Sequence, residues 1–232
     1  RIPSDIIAAA PAADWVRIAP ADLLVMDLAP GANARPRRVV IQLLPEPFST
    51  GWTGNIRKLA AARFWDGTAV VRVQDNYVTQ WGDPDAEDAA KARKLPDGLA
   101  VMPESDYAVQ LPAGTPINAT AGKGDNYAAR TGFAKGWPVA LAPAKAGRQL
   151  TWPVHCYGMV GAGRNLSPDT GTGAELYAVI GHAPRHLDRN IALVGRVIEG
   201  IEHLSSLPRG TGPLGFYETP EERTAILSVR MG

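Results

Sequence analysis

Four histidines, one cysteine and a scatter of carboxylates are the first places to look for chemistry in this chain. His182 and His186 stand four apart, the spacing at which a helix presents two metal ligands. Pro184 lies between them and breaks such a helix, and no Asp, Glu or Cys cluster accompanies them, so no metal site is expected. His155-Cys156 has the residue types of a thiol nucleophile and its base. Adjacent strand residues point to opposite faces, so direct pairing is not expected, and Cys156 reads as a buried, inert thiol. Gly122-Lys123-Gly124 lacks the Ser/Thr and the spacing of a phosphate-binding loop. Arg72 lies in the run Val70-Val71-Arg72-Val73 and, taken alone, is an arginine on the solvent face of a strand.

The elements that must position these residues are short. The chain has 232 residues, with 24 glycines and 20 prolines, well above an average share of about 12%. Such punctuation favours short strands and turns over a helical bundle. Hydrophobic residues make up 45% of the chain, enough for a sizeable core. The formal net charge of +1 gives no reason to expect a nucleic-acid partner. No apolar run approaches a bilayer span. A single cysteine excludes an intrachain disulfide and a multi-cysteine zinc site.

Residues 1–19 are Ala/Pro-rich and read as an arm along the surface. Leu23–Leu28 and Val39–Leu44 read as paired strands around the polar turn RPRR. In residues 49–63, Trp52, Ile56, Leu59, Ala60 and Arg63 recur at spacings of three and four, which predicts a helix capped by Ser49 or Thr53. Thr68–Val73 and Tyr77–Gln80 read as short strands. Residues 84–154 break into short pieces, with a helix-compatible stretch at 85–94. They are too long for a bare loop. Residues 195–206 are compatible with a short helix through Val197, Ile201 and Leu204, and Thr224–Met231 with a closing strand. This order suggests an all-β barrel with a couple of capping helices.

Two runs carry a family resemblance. Phe64–Pro84, FWDGTAVVRVQDNYVTQWGDP, resembles the cyclophilin segment YYDGTxFHRVIxxFMxQGGDP. Ala183–Gly200, APRHLDRNIALVGRVIEG, resembles the cyclophilin segment TPHLDGKHTVFGRVIEG. The resemblance covers residues 22–84 and 155–231. It implies a mainly β fold, an eight-stranded antiparallel barrel capped by two helices. The whole of 1–232 would be one such domain, with an irregular, family-atypical insert at 85–154. It also implies peptidyl-prolyl cis-trans isomerase activity on proline-containing polypeptides, assisting their folding, with no cofactor.

Rotation about an X-Pro bond faces a barrier of roughly 18–20 kcal/mol because it breaks amide resonance. The twisted state has a pyramidal prolyl nitrogen with a localised lone pair. A cation that donates a hydrogen bond to that nitrogen favours the twisted state over both planar ones. The resemblance assigns that role to Arg72. It assigns the proline pocket to Tyr77, Val78, Tyr177 and Leu187, and contacts with the peptide to Gln80, Gly161 and Glu175.

Several positions depart from the family pattern. Val160-Gly161 stands for Ala-Asn, Glu175 for Gln, Ile191 for His and Trp81 for the first Gly of Gly-Gly-Asp. Tyr77 and Tyr177 replace Phe, and Val78 replaces Met. A carboxylate at Glu175 is expected to pair with Arg72 and compete with substrate for its donors. Trp81, His186 and Ile191 are expected to line or flank the pocket. These departures motivate a second reading, a barrel that binds proline-containing or extended peptides with little turnover. The insert would then supply a partner surface. A chain that begins at Arg1 suggests an exported, periplasmic protein, with a cytoplasmic one as the alternative.

Overall fold

The computed structural model describes residues 2–31, 33–112, 114–119, 125–143 and 145–232. The glycine-lysine-glycine run at 122–124 lies outside them. In chain order, a short helix α1 (Pro3–Ala8) precedes β1 (Leu23–Leu28), β2 (Arg37–Leu43), α2 (Thr50–Ala61), β3 (Ala69–Val73) and β4 (Val78–Gly82). Five strands follow: β5 (Val109–Pro112), β6 (Asn118–Ala119), β7 (Arg130–Ala134), β8 (Trp137–Leu141) and β9 (Arg148–Pro153). Then come β10 (Met159–Ala162), β11 (Leu176–Val179), β12 (Leu193–Glu199), the single turn α3 (Glu202–Ser205) and β13 (Thr224–Met231).

Eight strands close into a barrel in the order β1-β13-β3-β4-β11-β10-β12-β2, with antiparallel neighbours throughout. Alternation explains why. Leu24, Met26 and Leu28 of β1 and Val39, Ile41 and Leu43 of β2 point inward, and the residues between them point out. The helix α2 lays Trp52, Ile56, Leu59 and Ala60 on the same core, as the spacing predicts. Ser49 does not cap it. Its hydroxyl donates instead to the Leu193 carbonyl at 2.5 Å, tying the start of α2 to β12. The second cap is only α3, because the first part of the run expected to be helical, through Glu199, belongs to the strand β12, hydrogen-bonded to β2 and β10. Two strand partners satisfy that backbone more fully than a short isolated helix can.

The insert is not irregular. β5 to β9 form a second antiparallel sheet in the order β5-β9-β8-β7-β6. Lys135-Gly136, with φ of 51° and 80°, makes the two-residue turn between β7 and β8. Both residues take positive φ, the mirror-image turn that matches strand twist. One face of this sheet packs Trp137, Val139 and Leu141 against Leu44, Phe48, Met159 and Leu193 of the barrel. Residues 85–94 form turns rather than a helix. Their alanines and charges are almost all exposed, so no apolar stripe offsets the cost of ordering a helix. No helix among the described residues is long and apolar enough to cross a membrane.

Candidate active site

The strand register assembles the site on the outer face of the barrel. Arg72 stands opposite Gln80, Gln80 opposite Tyr177, and Tyr177 opposite Gly161. Directly opposed residues share a face, so these four make one row across β3, β4, β11 and β10. Val78 lies two residues along from Gln80, and Glu175 two before Tyr177, on that same face. Their neighbours Trp81, Leu176 and Val160 point into the barrel core. Trp81 is therefore a core residue and does not flank the pocket. A β-bulge between Val70 and Arg72 adds Val71 to β3 and re-aims Arg72 outward.

Apolar side chains build the pocket wall. Val78, Tyr177, Val179 and Leu187 form a buried cluster, with Tyr77 and Ile191 packed against it. The resulting cavity is about 100 Å³. Arg72, Gln80, Glu175, Gly163 and Arg164 line its polar edge. Gly161 is absent from that lining and lies beneath Tyr177. A Cβ at Gly161 would stand 2.3 Å from the Tyr177 hydroxyl. Two departures from the family pattern are thus one arrangement, in which Gly161 leaves the room that the Tyr177 hydroxyl occupies. His186 stacks on the Tyr77 ring at 6.0 Å.

Arg72 is half-buried and held from several sides. Its Nε donates to the Leu214 carbonyl at 2.7 Å, its Nη1 to Gln80 Oε1 at 3.1 Å, and its Nη2 to Gln74 Oε1. Its guanidinium lies 5.0 Å from the Phe216 ring centre and 5.6 Å from that of Tyr77. The loop carrying Leu214 and Phe216 covers the edge of β3 that β13 leaves free, through Gly210 N–H to the Val73 carbonyl and Tyr217 N–H to the Val71 carbonyl. Burial draws the Arg72 pKa below its ordinary value.

The expected Arg72–Glu175 ion pair does not form. Gln80 stands between them, accepting from Arg72 and donating to Glu175 Oε1 at 2.5 Å. A carboxylate only accepts, so it orients the Gln80 amide with its oxygen toward the arginine. Burial raises the Glu175 pKa, partly countered by the Gln80 hydrogen bond. Among the described residues, Arg72 has neutral oxygens as partners and no carboxylate within ion-pair distance.

A cyclophilin type peptidyl-prolyl cis-trans isomerase/CLD family model matches residues 37–231. The chain belongs to this cyclophilin family. No curated protein sequence matches it. Among solved structures it is similar to the cyclophilin AquaCyp293 from Hirschia baltica, at 24% identity and a TM-score of 0.70, covering 92% of this chain and 75% of that one. It is also similar to a Cryptosporidium parvum cyclophilin type isomerase, solved in the presence of the dipeptide Ala-Pro. That match has 10% identity and a TM-score of 0.51, and covers 90% of this chain and 98% of that one. As a cyclophilin, the chain is a peptidyl-prolyl cis-trans isomerase with the barrel expected from its motifs.

Several parts of this cyclophilin's site carry no signal in the linear sequence. Gln74, Leu214 and Phe216 hold Arg72, and Arg164 lines the pocket. In the sequence, His155 stands out only beside Cys156. The fold instead pairs its ring with Tyr177 and Asp188. Asp188 closes the motif His186-Leu187-Asp188, which is the one available signal. Cys156 is partly exposed rather than buried, and burial still raises its thiol pKa. Among the described residues, no group of three His, Cys, Asp or Glu side chains gathers in a way that could hold a metal ion.

Proposed function

We propose that Arg72 is the electrostatic catalyst of X-Pro isomerisation, acting on a proline ring seated against Tyr77, Val78, Tyr177 and Leu187. The observation that carries this is a guanidinium that, among the described residues, has no carboxylate partner and is held at the rim of the cavity. Its three hydrogen bonds use three of the five N–H groups of an arginine. The remaining ones are free, among the described residues, to meet the pyramidal prolyl nitrogen. The planar amide has no such lone pair, so the hydrogen bond strengthens as the bond twists. A half-buried position raises its worth. The bonds to Gln74, Gln80 and Leu214 fix the guanidinium before substrate arrives, which limits reorganisation during the reaction. Gln80 and Glu175 act as one unit beside the peptide backbone. The substrate class is a polypeptide with an exposed X-Pro bond, in keeping with the Ala-Pro dipeptide of the Cryptosporidium relative.

The test is isomerisation of a short Ala-Pro peptide, followed by exchange NMR for wild type and Arg72→Ala. Wild-type turnover that the substitution largely removes supports the assignment. Equal turnover in both overturns it. A second reading, peptide binding with little turnover, is favoured by the engagement of Arg72 on all three of its nitrogens. It predicts peptide binding by both proteins and turnover by neither.

A further inference from the structure

A chain of polar groups, buried at the pocket end, runs from the pocket wall to Asp125, in an exposed turn of the insert. The Tyr177 hydroxyl meets His155 Nε2 at 2.8 Å. The His155 backbone N–H and Nδ1 both approach Asp188 Oδ1, at 3.0 and 2.9 Å. Asp188 Oδ2 accepts from Arg185 Nε at 2.5 Å, and Arg185 Nη1 reaches across to Asp125 in the insert. Arg185 also lies over the ring of Tyr127, 5.6 Å from its centre. Tyr177, His155 and Asp188 are almost fully shielded from water.

The roles along the chain follow from donor and acceptor chemistry. Asp188 only accepts, so it holds the proton of His155 on Nδ1. A neutral imidazole then offers Nε2 as an acceptor, and the Tyr177 hydroxyl donates to it. That bond occupies the phenol hydroxyl and fixes the orientation of the ring that lines the cavity. Arg185 and Asp188 flank Leu187 in one tight turn, so the same ion pair positions a second wall residue.

We propose that His155, Asp188, Arg185 and Asp125 are positioning residues for the proline pocket, and that the insert sets the affinity for the prolyl ring through them. This rests on the pocket assignment above. It adds that the insert acts on the reaction through Tyr177 and Leu187. A wall holds the ring equally in planar and twisted states, so losing its support raises KM and leaves kcat in place.

Asp125→Asn is the informative variant. It keeps the Oδ1 that accepts from the N–H groups of Tyr127 and Ala128, and removes the charge that faces Arg185. Exchange NMR with an Ala-Pro peptide reads kcat and KM, and 13C-labelled tyrosine reads the flipping of the Tyr177 ring. Asp125→Asn is expected to raise KM by about two- to tenfold, the worth of one hydrogen bond, and to speed ring flipping. Tyr177→Phe removes the hydroxyl and keeps the ring. In that background Asp125→Asn is expected to have a markedly smaller effect on KM. The proposal is overturned if Asp125→Asn leaves both KM and ring flipping at wild-type values. Full multiplication of the two substitutions' effects on KM also overturns it. If the protein binds Ala-Pro without turnover, Kd replaces KM and the same outcomes apply. Loss of the Arg72 assignment appears in kcat and leaves ring flipping untouched, so the two failures are distinct.

Discussion

The two sides of the pocket solve different problems. On one side Arg72, Gln80 and Glu175 form a polar edge made of long side chains, hydrogen-bonded to one another and partly open to solvent. On the other, Tyr177, Val78 and Leu187 form a dry wall backed by His155 and Asp188. On the proposed function, the edge carries charge that would matter only as the peptide bond twists. The wall carries contact area that would matter equally before, during and after. One site would thus divide, on that function, into a part that governs rate and a part that governs binding and stability.

Truncating the wall tests this division with the largest effect. Tyr177→Ala removes a fully buried ring and leaves His155 Nε2 unpartnered. It is expected to cost about 3–5 kcal/mol of stability. Thermal unfolding reads this as a fall of about 2–4 °C per kcal/mol for a chain of this size. Retention of the wild-type melting temperature would place that ring outside the structural core.

Next in size is Arg72→Ala, expected to lower kcat by about a hundred- to a thousandfold, as for loss of one preorganised donor. Its melting temperature should move far less than that of Tyr177→Ala, because a half-buried edge residue leaves little cavity. An arginine variant that loses stability and keeps kcat would reverse the comparison.

Glu175 sharpens it through pH. Burial raises its carboxyl pKa above the unfolded value, so the native state favours the protonated form. Its contribution to stability is complete in acid and is lost as pH rises through that raised pKa. Glu175→Gln is therefore expected to melt above wild type at neutral pH. The gap should close as the solution is acidified below the ordinary carboxylate range. A gap that does not change with pH would mean that folding leaves the Glu175 carboxyl at its unfolded pKa.

The smallest expected effect is that of Val78→Met. Each additional methylene buried against the ring contributes about 0.8 kcal/mol. The longer side chain is expected to lower KM by about two- to fourfold without changing kcat, read in the same exchange experiment. A change in kcat alone would show that the wall also acts on the twisted state.

Much of this architecture is legible in the order of the residues. The two motif runs identify the barrel, and alternation in β1 and β2 and the three-four spacing in α2 place their inward residues. These are local signals, with the period of an element written into consecutive residues. Partners across the fold are not legible. Neither Gln80 between Arg72 and Glu175, nor Gly161 under Tyr177, nor His155 bridging Tyr177 and Asp188 follows from spacing. Residues 85–94 show the converse, since helix-compatible composition yields turns where no apolar face exists to bury.

By itself, then, the sequence determined the family, the closed barrel, and most of the side chains that line the cavity beside Arg72. Those follow from motif chemistry and from the period-two pattern that makes each strand choose an inner face. Only the tertiary structure decided how those side chains engage one another. It ordered the insert into a sheet, interposed Gln80 between the arginine and the glutamate, and buried a histidine behind the pocket wall. Such contacts depend on strand register and on what closes over each face, and residues far apart in the chain meet only after the barrel has closed.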